Sequence, residues 1–522
     1  MAEPIPKPGS ISFEDRAIKA KPYVWGYGCT PRVAKLRDEC YSKAVVIKNW
    51  ADVVSGLGEV SFRKNVKLDL DRARIVTKAF KETEGKPVVL RKAEAVARLC
   101  EEMPIFIKPG ELIVGDPNSA PDEVRWYPEI AVSYMPEAVE TGYKNMVTSD
   151  EKKELLDEIY DYWKDKSVEY LVDSALPKEA LPFIYRSPEN PCFYANLWNA
   201  GRQIMDYDYE VIFQGGVNAR IKKAEAKLKE LESKSFEMHP ADYINKKNNW
   251  ESMIKSGKAL IRFAERHAEL AREQAQKEQD PARKKELEEI AAICNWVPAN
   301  PPRTFQEALQ FFWFNEVVSR FLAVPGNGSG CRIDQIWWPY YEADMKKGQI
   351  TRAKALEMIE CWMLKVQEIG SYPEHPQTFT LTAGGEIFYT VNIGGSKQDG
   401  KDASNDLTCL IMEAMVDVRV NQPPLMFRYH RNVNPDVIQR LIELARCGTG
   451  HPAIFNEELM ERWALMRGYS LQDAKRTQAA GCMVMSCTGK PLSSALFPLI
   501  SFLGAPKMME YALYQGKDAF SQ

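Results

Sequence analysis

The run Gly481-Cys482-Met483-Val484-Met485-Ser486-Cys487-Thr488-Gly489-Lys490-Pro491 concentrates the residue types best able to do chemistry. A thiol that follows a glycine on a loop can reach into a cavity. The same thiol between apolar neighbours is also an ordinary packing residue. A thiolate nucleophile needs a His, Lys or Arg beside it, and the near sequence offers only Lys490. The apolar collar of Met483, Val484 and Met485 suits different chemistry. A sulfur-centred radical carries no charge. It needs a dry, close-walled cavity that excludes water and stray hydrogen donors. The second thiol, Cys487, reads either as a small buried residue or as a wall of that cavity.

The rest of the sequence offers no competing centre. Its 11 cysteines form no CxxC pair and no three-cysteine iron–sulfur spacing. Its 5 histidines are scattered, with no HExxH, so no metal site is expected. The 69 basic and 72 acidic residues give a net charge of −3 without a long Lys/Arg block, which argues against nucleic acid and an anionic membrane surface. There is no apolar run of about 18 residues for a membrane span. Residues 1–15 lack the apolar core of a secretion signal. A cytoplasmic, reducing setting with free thiols is the expectation.

These residues need a scaffold, and 522 residues can bury an extensive core. Residues 1–300 read as mainly helical. A helix is expected over 87–100, a short extended stretch over 104–114 and a helix over 148–171. A charged helical hairpin is expected over 217–295, interrupted at His239-Pro240 and restarted at Asp280-Pro281. From 301 to 522 helices alternate with strands, implying a mixed α/β sheet or barrel. Thr304 and Glu307 read as a capping box that opens an aromatic helix. Residues 378–383 and 388–393 read as a hairpin, and 425–430 as a strand. Ser470 reads as the cap of a helix ending just before Gly481, with the cysteine loop over 479–491. Residues 511–522 read as a helix end and a loop, so the chain is expected to be a piece of something longer.

Several segments resemble the glycyl radical enzymes of the pyruvate formate-lyase type, in the family's order. They are Thr30 to Arg37, Ile107 to Gly115, Trp296 to Gln310, Arg332-Ile333-Asp334-Gln335 with Pro339-Tyr340-Tyr341, Gly394-Gly395 with Asp399 to Leu407, Pro452 to Asn456, and Gly481-Cys482. The resemblance implies an α/β fold: an incomplete ten-stranded α/β barrel with extensive surrounding helices. It makes Cys482 the thiyl position. The glycine that stores the radical lies in an Arg-Val-x-Gly-Tyr-like motif near the end of full-length members. No such motif occurs here, so the glycyl radical domain is expected to be missing. The implied partners are a small-molecule substrate and a radical S-adenosylmethionine iron–sulfur activase. A homodimer, with room for small accessory subunits, is the implied assembly. No cofactor is expected to bind this chain itself.

The resemblance also narrows the reaction. Pyruvate formate-lyase carries two adjacent cysteines, whereas Gly481 precedes Cys482 here. The family's diol dehydratases, choline lyase and hydroxyphenylacetate decarboxylase carry Gly-Cys-Val-Glu, whose glutamate acts as a base on a substrate hydroxyl. Val484 stands at that position and moves no proton, which favours a substrate without a hydroxyl near the reacting carbon. Cys482-Met483 resembles the hydrocarbon-to-fumarate adders, although Phe497 replaces a basic residue of theirs. Fumarate would then need another cation, and Arg428 and His430 are the candidates. A wall ion pair or hydrogen bond is the alternative role for both. Asp334 and Glu307 read as structural. The expectation is hydrogen abstraction from an apolar or aryl substrate, for hydrocarbon addition to fumarate. The alternatives are decarboxylation of an arylacetate-type acid, another formate acetyltransferase-like lyase, or a catalytically incomplete shell or scaffold completed by a separate glycine-bearing chain.

Overall fold

The computed structural model describes residues 28–42, 67–140, 143–179, 193–194, 206–324, 329–369, 389–481, 484–490, 502–503 and 505–517. The first strands, β1 (Lys67–Asp69) and β2 (Glu123–Arg125), pair in parallel, and β3 (Phe193–Tyr194) is short. A four-stranded parallel sheet follows, ordered β4 (Ser329–Arg332), β5 (Thr390–Gly394), β6 (Leu425–Tyr429), β7 (Ala453–Asn456). Parallel neighbours need long crossovers, and helices supply them. Arg352–Glu368 precedes β5, Asp406–Val418 joins β5 to β6, and Pro435–Arg446 joins β6 to β7. Both faces of a parallel sheet are covered, which is why β5 is buried at every residue. An antiparallel hairpin of β8 (Thr477–Ala480) and β9 (Val484–Cys487) packs against β4 and β5. β10 (Phe502–Leu503) returns to pair with β3.

The helix Phe305–Glu316 sits at the centre of the core. Its Phe305, Phe311, Phe312, Trp313 and Phe314 are all fully buried. A helix apolar on all sides belongs inside a large protein. Phe312, Trp337 and Trp362 meet edge to face in turn, each step 5.2 Å between ring centroids. Outside this core lie Gly216–Ser233, Pro240–Lys277 and Pro281–Trp296. Asp280 caps the last of these by accepting from the Ala282 amide, with Pro281 at its first position. Among the described residues no helix is long and apolar enough to cross a membrane.

Several sequence expectations are corrected. The helix over 148–171 is broken: a π-helical turn occupies Leu155–Tyr160, and Ser167 caps a separate helix, Val168–Ser174. Residues 104–114 pair in no sheet and are irregular, with a turn at 109–110. Thr304 does accept from the Glu307 amide, but Glu307 returns its carboxylate to the Arg303 amide and guanidinium, so the capping box is not reciprocal. The hairpin partner 378–383 lies outside the described residues; β5 itself pairs in parallel on both sides. The helix after Ser470 stops at Ala474, and residues 477–480 are strand. Lys475, Arg476, Gln478, Ala479 and Ala480 are helix formers, but the pairing of β8 with β9 overrides that weak preference.

Candidate active site

The cysteine segment joins the strands of the β8–β9 hairpin. Thr477 faces Cys487, Gln478 faces Ser486, Ala479 faces Met485 and Ala480 faces Val484. The last residue of β8, Ala480, is followed by Gly481. Gly481 has φ +53°, a left-handed backbone that glycine adopts without steric cost. Cys482, Met483, the Val484 side chain and Phe497 lie outside the described residues.

Every residue of β8 is fully buried, so its backbone groups need partners. Asn392, from the middle of β5, supplies two of them. Its Nδ2 donates to the Ala479 carbonyl at 2.7 Å, and its Oδ1 accepts from the Ala479 amide at 3.0 Å. Beneath the hairpin, Met426, Met460 and Ala479 form an apolar cluster, with Met485 and Phe455 against it. The hairpin base is fixed from another direction. The Gly489 amide donates to the Asp206 carbonyl at 2.8 Å, and Arg476 donates to Asp208 at 2.8 Å. Cys487 is buried beside Thr477, their Sγ and Oγ1 3.6 Å apart. Burial pushes its thiol pKa up, so it is not a thiolate at neutral pH.

Arg428 and His430 have separate partners. Arg428, fully buried on β6, donates to Glu457 Oε1 and to the Lys475 carbonyl, 3.2 Å away. Burial and then the neighbouring Arg332 pull its pKa down to about 10, while Glu457 opposes the fall. Glu457 also accepts from the Ser396 amide through both oxygens. His430 Nε2 lies 3.4 Å from Asp402, and its Nδ1 accepts from the Asn432 amide. Asp334 accepts from the Gly394 amide at 2.8 Å and from Thr408 Oγ1 at 2.6 Å, which ties β5 to the crossover helix. Gly394 and Gly395 both have positive φ. A Cβ on Gly394 would come 2.5 Å from the Phe427 ring.

Sequence reasoning missed Asn392 and Glu457. The signal for Asn392 was present: a single amide inside the apolar run Tyr389-Thr390-Val391-Asn392-Ile393.

The comparisons agree with this architecture. The pyruvate formate lyase-like family model matches residues 29–522. The isethionate sulfite-lyase of Nitratidesulfovibrio vulgaris is 30% identical over 94% of this chain and 59% of its own length. The trans-4-hydroxy-L-proline dehydratase of Clostridioides difficile is 28% identical over 89% of this chain and 58% of its own. The solved glycerol-bound B12-independent glycerol dehydratase from Clostridium butyricum superposes with a TM-score of 0.81 at 28% identity, over 95% of this chain and 59% of that one. The chain belongs to the pyruvate formate-lyase-like family, the glycyl radical enzymes. Its fold is an incomplete α/β barrel of that type, and it spans about three-fifths of the length of these relatives.

Proposed function

We propose that the chain supplies the thiyl-radical part of a glycyl radical enzyme, with Cys482 taking a hydrogen atom from carbon in a small organic substrate. The observation that supports this reading is that β8, the strand leading to Gly481, is fully buried and gripped through its backbone by Asn392. In the first step the sulfur radical gains the hydrogen and leaves a radical on the substrate carbon. A bond then forms or breaks beside that carbon. The thiol finally returns its hydrogen to the product radical, and the thiyl is regenerated. The protein's part is to hold the C–H bond in line and keep the site dry.

For the bond change we favour cleavage with a leaving group that departs without a proton. The named relatives include a sulfite-lyase and dehydratases, which supports cleavage. Water needs a proton to leave well, whereas sulfite and carbon dioxide do not. Val484 in place of a carboxylate therefore supports release of sulfite over dehydration, with decarboxylation of an arylacetate-type acid kept as an alternative that Val484 does not favour. Hydrocarbon addition to fumarate is the second reading, favoured by Cys482-Met483. It would require Arg428 to exchange Glu457 for fumarate, or His430 to leave Asp402. Met483, Cys487 and Phe497 are proposed as walls of the substrate cavity.

We further propose a radical S-adenosylmethionine activase as partner, a homodimeric assembly and a cytoplasmic setting. The nine described cysteines are free thiols, which suits the last. The glycine partner is sought outside residues 1–522, since no Arg-Val-x-Gly-Tyr-like motif occurs within them. The test is an anaerobic screen of the activated full-length protein. Sulfonates, arylacetates, and toluene with fumarate are offered separately, and products are identified by mass. Turnover by Cys482→Ala would refute the thiyl assignment. Exclusive dehydration of a diol would refute the reading of Val484.

A further inference from the structure

A cleft of about 240 Å³ with apolar walls and a few polar side chains opens where three helical elements meet, and no described residue of the cysteine hairpin lines it. The helix Val88–Glu102 contributes Lys92. The helix Pro240–Lys277 contributes Ser252 and Ser256, one turn apart. The π-helical turn Val317–Leu322 contributes Ser319 and Arg320, and Tyr207 lies alongside. The volume falls below the roughly 300–1,000 Å³ usual for drug-sized ligands, so the cleft suits a small group.

Its charges do not balance. Arg320 is paired with Glu316, and its guanidinium lies 4.7 Å from the Tyr207 ring centroid. Glu129, whose charge acts on Lys92, is bound by Arg72 through both oxygens, at 2.6 and 3.2 Å. Lys92 is left with no hydrogen bond or ion pair among the described residues, and burial lowers its pKa. Among the described residues no carboxylate lines the cleft. Lys92 is half-buried and shares the charge of Glu129 with Arg72, so a bound anion would complete its charge compensation. The hydroxyls divide in a useful way. Ser252 donates to the Val89 carbonyl and Ser319 to the Asn315 carbonyl. Ser256 has no partner among the described residues, so its O–H is available to a ligand.

We propose that this cleft binds a small oxyanion, a carboxylate, sulfonate or phosphate group, with Lys92 as its charge partner and Ser256 as its hydroxyl donor. The site stands apart from the cysteine hairpin, and its existence does not depend on the radical reading. Lysine suits such a role as a compact point charge able to meet tetrahedral or planar oxyanions.

The test is calorimetric titration of the full chain with acetate, methanesulfonate and inorganic phosphate separately, at constant ionic strength in chloride. The expected result is saturable one-to-one binding of at least one of them, the preferred anion naming the class. Lys92→Met should weaken that binding at least tenfold and Ser256→Ala about threefold, while Lys92→Arg retains most of it. A thermal melt supplies a second readout: the anion should raise the parent's midpoint and leave that of Lys92→Met unmoved. Absence of saturable binding by all three anions would overturn the proposal. So would parental affinity in Lys92→Met.

Discussion

Asn392 and Ala479 close a ring of two hydrogen bonds between the parallel sheet and the cysteine hairpin, the side-chain amide of one matching the main-chain amide and carbonyl of the other. Both residues are fully buried, so neither group can turn to water instead. Removing the side chain leaves a buried N–H and a buried C=O without partners. Asn392→Ala should then cost about 1–3 kcal/mol per group left unpaired. Hydrogen exchange at the amides of 477–480 and 484–487 should accelerate well before exchange in β6. Unchanged protection of the hairpin would show that β9 alone holds it. Asn392→Asp keeps the acceptor but loses the donor to the Ala479 carbonyl, and should fall between the two.

The pair of Arg428 and Glu457 makes a different prediction. Both side chains are almost wholly buried. Glu457→Leu strands a guanidinium in the sheet and should destabilise the fold by about 3–5 kcal/mol. The double variant Arg428→Met with Glu457→Leu should recover most of that loss. Urea midpoints of the parent and the two variants decide it. If Glu457→Leu melted like the parent, the pair would not be holding β6 to the helix Glu457–Met466.

Cys487 should be inert in the folded chain. Burial raises its thiol pKa above the ordinary 9.0, and it is only 1% exposed. Iodoacetamide at pH 7 should leave it unmodified until the chain is unfolded, as read by peptide mass. Rapid native labelling of Cys487 would contradict the burial of the hairpin base.

His267 should give the chain an acid-sensitive step. It is fully buried against Phe263 and Phe314, and its Nδ1–H donates to the Phe263 carbonyl at 2.8 Å. Burial depresses its pKa from 6.5 to about 4. Protons therefore bind the unfolded chain more readily between those values. The stability that this residue contributes is complete above about pH 6.5. It falls as the pH drops and levels off below about 4. At ~1.4 kcal/mol per pKa unit the span is about 3 kcal/mol at most. Urea midpoints measured from pH 4 to 7 should show a steeper slope for the parent than for His267→Gln. Equal slopes would mean that the imidazole is already solvated.

Much of the scaffold was legible in the sequence because its signals are local. Asn434-Pro435 fixed the start of Pro435–Arg446, where Asn434 accepts from the Asp436 amide. The aromatic stretch after Thr304 announced a buried helix, and the apolar run after Pro424 announced β6. What escaped depends on distant partners. Residues 477–480 have helical composition and become strand only by pairing with 484–487 and meeting Asn392, nearly ninety positions earlier in the chain. The break in the helix over 148–171 follows from Ser167, which caps a new helix by accepting from the Tyr170 amide. Arg428 was read as one of two things, a substrate cation or a wall ion pair, and strand periodicity cannot choose between them. Its contacts with Glu457 and Lys475 come from elements folded against β6, so only their placement reveals them.

The grip that Asn392 exerts falls on main-chain atoms, which every amino acid shares. The two hydrogen bonds therefore do not depend on which side chains the hairpin carries. A scaffold of this kind separates holding from selecting: one amide fixes the buried strand whatever side chains the hairpin displays. New reactions can then arise by repainting the surroundings, with the tool left in its mount.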